Sequence, residues 1–107
     1  MEHAIAERML IVELRNGEQR PVTIRIGTPY SDGEESWACP WEVEGLYSGL
    51  ADARGIDSFQ ALILAQHLIK TLLFAVLRDG GRLLTAVDDR EETPSEIDLE
   101  AMFTRGM

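Results

Sequence analysis

The chain has 107 residues, room for one domain, and its 45% hydrophobic and 27% charged residues are ordinary for a globular protein. Its net charge of −9 disfavours direct binding to nucleic acid, which needs clustered Lys and Arg against the phosphates. One cysteine, Cys39, cannot close an internal disulfide; the start Met1-Glu2-His3-Ala4 has an acidic residue where a signal peptide needs basic ones, and the longest apolar run, Leu72–Leu77, is far short of the ~20 residues of a membrane span, so a cytoplasmic protein without a membrane partner is expected.

Between Arg8 and Leu14, Leu10, Val12 and Leu14 share one face and Met9, Ile11 and Glu13 the other, the alternation of a half-buried strand. Val22, Ile24 and Ile26 alternate with Thr23, Arg25 and Gly27 in a second strand. A two-residue turn at Asn16-Gly17 would set Leu10 opposite Thr23. A three-residue loop, Arg15-Asn16-Gly17, sets Leu10 opposite Val22, puts the even-numbered apolar residues on one face and gives Gly17 the left-handed position of a bulged turn; this loop is preferred. After an Asp32-Gly33 turn signal, a third strand points Trp37, Cys39, Trp41 and Val43 one way and Ala38, Pro40, Glu42 and Glu44 the other. Pro40 lacks an N–H, so this strand should lie at an edge, carry a bulge or be paired on one side there. A short fourth strand is expected around Leu50–Arg54.

The pattern predicts a long helix over 57–78, with Asp57 as N-cap and Gln60 completing a capping box. Gln60, His67, Thr71 and Arg78 form a narrow polar stripe, flanked by Ile63 and Phe74, on a helix that is apolar around most of its circumference. Arg82–Val87 reads as a strand. Thr93-Pro94-Ser95-Glu96 reads as a second capping box, opening a short helix to about Phe103. The expected order is β-β-β-(β)-α-β-α: an α+β domain over 1–87, with a three- to five-stranded, mostly antiparallel sheet covered on one face by the long helix. The remaining segment, 88–107, has seven acidic and two basic residues and so carries −5 of the −9.

None of the candidate chemistries has the spacing it needs. His3, Cys39 and His67 have no ligand partner at metal-binding intervals, and the glycines match no phosphate loop. Cys39, between two tryptophans, reads as a buried thiol, and the pair Glu42 and Glu44 as a solvated strand face. No catalytic, cofactor or metal residue is therefore assigned, and no enzyme is expected. Trp37, Cys39 and Trp41 are the candidate lining of a small-molecule pocket.

Trp37-Ala38-Cys39-Pro40-Trp41, then Gly45-Leu46 and the run Gly55-Ile56-Asp57-Ser58-Phe59-Gln60-Ala61-Leu62, resembles a family of small, uncharacterised bacterial proteins in which a Trp-x-Cys strand precedes a Gly-x-Asp-x-x-Gln-Ala-Leu helix start. The resemblance covers about residues 9–87 and implies no activity. A looser likeness, in layout alone, is to HicB-type antitoxin domains, with their β-β-β-α order. The expected function is a protein-interaction module of antitoxin-like, immunity-like or accessory kind, with small-molecule binding at the tryptophan face as the alternative. Ile63, His67, Lys70, Phe74, Met102 and Phe103 are the candidate interface. A homodimer is one expected assembly; docking of the acidic end on a basic protein, anchored by Met102 and Phe103, is another.

Overall fold

In the computed structural model, which describes residues 1, 3–86 and 95–104, the elements run β1 (Ala4–Glu13), β2 (Gln19–Gly27), β3 (Tyr30–Ser31), β4 (Trp37–Cys39), β5 (Trp41–Glu44), β6 (Ala53–Gly55), α1 (Ser58–Arg78), β7 (Arg82–Thr85) and α2 (Leu99–Thr104). The first hairpin closes through Arg15-Asn16-Gly17, with Leu10 opposite Val22. Gly17 has φ 88° and donates to the Leu14 carbonyl at 2.8 Å, while the Asn16 side chain accepts from Glu18 N–H at 2.9 Å. That register drives Leu10, Val12, Val22, Ile24 and Ile26 together onto one buried face.

The strands form two antiparallel sheets, β5-β2-β1-β7 and β3-β4-β6. The expected single strand over 37–44 divides at Pro40, which cannot donate to a ladder. β4 lies in the middle of the small sheet, and β5 is an edge of the large one. The Pro40 carbonyl still accepts from Gly27 N–H at 2.8 Å, so the chain crosses from one sheet to the other without breaking its contact with β2. Ala38, expected on the exposed side, is fully buried. It stands opposite both Tyr30 and Arg54, in the middle strand of the small sheet. The fourth strand forms at Ala53–Gly55, slightly later than expected.

α1 begins and ends where its sequence signals lie. Asp57 accepts from Gln60 N–H at 2.7 Å, and Gln60 reaches back to Ile56 N–H at 2.8 Å, one residue beyond the cap itself. At the other end Gly80, with φ 94°, donates to Leu77 O, and Gly81 donates to Val76 O at 2.8 Å, a Schellman closure. By length and composition alone α1 could cross a membrane. Here its Ala61, Ala65, Ile69, Leu73 and Val76 pack on the sheet residues and close the core.

The C-terminal stretch departs from the reading of its sequence. Ser95–Ile97 is extended along β7, with Thr85 N–H donating to Ser95 O at 2.8 Å and Ile97 N–H donating to Leu83 O at 2.7 Å. The helix therefore starts at Leu99 rather than after Pro94, and Asp98 caps it by accepting from Glu100 N–H at 3.0 Å. Backbone pairing with β7 competes with the helix start and wins at Ser95 and Glu96. Thr93 and Pro94 of that capping box, and Val87 of the preceding strand, lie outside the described residues. Leu99 is buried, and Ile97, Met102 and Phe103 pack against the core beside α1.

Candidate functional site: the outer face of the long helix

One side of α1 is committed to the core; the opposite side is not. Phe59 is 71% exposed, Ile63 45% and Phe74 57%, and Ile56, just before the cap, is 65% exposed. At 100° per residue Phe59, Ile63, Lys70 and Phe74 fall within an arc of about 60°, and the stripe from Phe59 to Phe74 is about 22 Å long. Lys70 lies on it one turn before Phe74. The Lys70 ammonium lies 3.1 Å from the Glu100 carboxylate and 6.0 Å from the centre of the Phe103 ring, so the head is drawn towards α2 while the stem stays on the stripe. His67 is exposed on the flank, and its carbonyl accepts from the Thr71 hydroxyl at 2.9 Å. Of the candidate interface residues, Ile63, His67, Lys70 and Phe74 thus share one surface. Met102 and Phe103, read as anchors for a basic partner, turn inward and line a groove of about 230 Å³ with Ile24, Ile26 and Ile69. Phe59 and Ile56 were not anticipated as surface residues. The signal was present: Phe59 precedes Ile63 by four residues, one helical turn.

The tryptophan face is turned into the protein. Cys39 is fully buried, Trp41 is 7% exposed, and Trp37 is half-buried against the core cluster. The Trp41 ring N–H donates to Ala51 O at 2.9 Å, so its polar group is already used. Burial pushes the Cys39 thiol pKa up, with the Asp52 charge adding to it. Trp41 contributes its edge to two open clefts of about 660 and 530 Å³, one running to Glu44 and Tyr47, the other to His3 and Asp52.

On the open face of the large sheet, Glu42 and Glu44 are joined by one cation. Arg25 stands 2.8 Å from Glu42 and 3.0 Å from Glu7, and also pairs with Glu44. The three carboxylates, Glu44 foremost, hold the guanidinium pKa well above its usual value. The register makes this arrangement, because Arg25 is directly opposite Glu7 on β1 and Glu42 on β5. Among the described residues no three His, Cys, Asp or Glu side chains are grouped so as to hold a metal ion.

The motif that opens α1 has a structural explanation. Gly55 lets β6 approach the first helical turn, where a Cβ would stand 2.7 Å from Ala61 N. Asp57 and Gln60 cap the helix, and Ala61, fully buried, fits beneath β6. No curated protein and no solved structure matches the chain. The looser likeness to HicB-type antitoxins finds no support: six strands in two sheets precede the helix, not three strands in one, and the family matched is a different one. Residues 6–96 match the model of a domain of unknown function, DUF6968, and the chain belongs to that family.

Proposed function

We propose that the chain is a protein-interaction module, an accessory or immunity-like partner, whose contact surface is the outer face of α1. The observation that carries this reading is the stripe of Phe59, Ile63 and Phe74, exposed on a helix whose other side already closes the core. Each such side chain gains about 1.5–3 kcal/mol when it leaves water, and aromatic anchors of this kind dominate interface energetics. Contiguous exposed apolar surface on a small domain is characteristic of an association site.

The double variant Phe59→Ser/Phe74→Ser tests it. Both rings are exposed, so the variant is expected to keep its fold and its unfolding midpoint while losing the association expected of the parent chain. Sedimentation velocity of the purified chain and affinity co-purification from source cells read that association. Binding equal to the parent's would sink the proposal, as would a large loss of stability, which would place the rings in the core.

A further inference from the structure

α1 runs for 21 residues without one Asp or Glu, in a chain that has 19 of them. Asp57 and Asp79 stand at its two ends as caps, and Glu100, on α2 beside the stripe, is paired with Lys70 at 3.1 Å. Two copies of a protein carrying −9 repel each other wherever they bring carboxylates together. On the outer face of α1 they can meet without doing so.

The stripe is also complementary to itself. Phe59 and Phe74 are equally distant from the midpoint between Gln66 and His67, and so are Ile63 and Lys70. A two-fold axis through that midpoint lays a second α1 antiparallel on the first. Phe59 of each copy then meets Phe74 of the other at both ends, and aromatic pairs of this kind favour offset or edge-to-face rings. Ile63 meets the aliphatic stem of Lys70, and Gln66 and His67 face one another at the centre. A parallel pairing would instead set Lys70 against Lys70. From this, and resting on the interaction-module reading, we infer that the occupant of the α1 face is a second copy of this chain, docked antiparallel in the Phe59-to-Phe74 register. The assembly is isologous, as closed two-fold dimers are. A contact about 22 Å long and one helix wide is small among specific interfaces.

The test joins sedimentation equilibrium with disulfide trapping of the full chain. Phe59→Cys and Phe74→Cys are made separately. In the inferred register two copies of either variant hold their new thiols about 22 Å apart, beyond the ~7 Å Cα separation a disulfide tolerates. Each variant alone is therefore expected to stay uncrosslinked on mild oxidation, and an equimolar mixture to give a covalent dimer; Cys39 is buried and stays silent. The parent chain is expected to sediment as a monomer–dimer equilibrium that Phe59→Ser/Phe74→Ser abolishes. Self-crosslinking of Phe59→Cys alone would overturn the register. A parent chain that stays monomeric to high micromolar concentration would overturn the second copy as occupant. If the serine variant then loses a different protein that the parent retains, the interaction-module reading stands without this inference. If it loses binding to phosphatidylcholine vesicles instead, a lipid surface is the occupant and both fail.

Discussion

Gly55 and Gly17 are both glycines by necessity, for different reasons. At Gly55 an added Cβ would press on the backbone of Gln60 and Ala61 at the start of α1. At Gly17 the space is open and only the left-handed backbone, φ 88°, disfavours a side chain. Gly55→Ala is expected to cost about 1–3 kcal/mol, as overpacking does; Gly17→Ala should cost about 1 kcal/mol, the penalty of a left-handed non-glycine residue. Urea unfolding of the two variants side by side checks the order, and the reverse order would show that β6 can shift off the helix freely. Cys39 makes a pH-dependent prediction. Its thiol pKa is raised by burial in the native state and returns to about 8.5 in the unfolded chain. The unfolded state thus releases the proton first as pH rises. The thiol's contribution is complete below about pH 8.5 and is lost as pH climbs through the native value. Stability in urea is expected to fall on the alkaline side, and Cys39→Ala should remove part of that fall. The part left by Tyr30, raised through its 2.6 Å hydrogen bond to Asp52, should remain. An unchanged alkaline slope in the variant would mean the thiol is not desolvated.

Elements here are held by their neighbours more than by their own propensities. α2 is only six residues long and would not persist as an isolated helix. It stays because Leu99 is buried in the core and because Ser95–Ile97 pairs with β7 just before it. Leu99→Ala is therefore expected to destabilise the whole domain by about 2–3 kcal/mol, the lower part of the range for a buried leucine, since so short a helix can partly collapse into the gap. Thermal unfolding reads this; a shift too small to measure would make 95–104 an appendage rather than part of the fold. Pro40 acts at the same scale. By withholding one donor it splits a run of alternating residues between two sheets, and Cys39 and Trp41 on either side of it still enter one core.

For the whole molecule the governing quantity is the charge of −9 concentrated away from α1. Two such chains approach against a net repulsion that salt screens over about 8 Å at physiological ionic strength. Self-association through the apolar stripe is thus expected to tighten as salt is raised from low to physiological concentration. Docking of an acidic surface on a basic partner would weaken instead. Sedimentation at two ionic strengths separates the two, and weakening with salt would count against pairing of like chains.

Much of this protein is written locally in its chain. The period-two pattern with Asn16-Gly17 determined the hairpin register, because a slip by one residue would have moved every apolar side chain to water. Asp57, Gln60 and Gly80-Gly81 determined both ends of α1, because caps satisfy backbone groups within a few residues of the chain. Even the Arg25 network follows from that register, which sets Arg25 opposite Glu7. What lay beyond the sequence depended on competition between distant segments. Ser95 and Glu96 carry a helix-start pattern yet extend along β7, since the open hydrogen-bonding edge of β7 exists only once the sheet is built. The alternation over 37–44 could not reveal that two sheets share it. And a helix apolar nearly all round does not say which side is covered: only the placement of β6, β4 and α2 against it left Phe59, Ile63 and Phe74 facing water, because the area of sheet available to bury them is a property of the assembled fold.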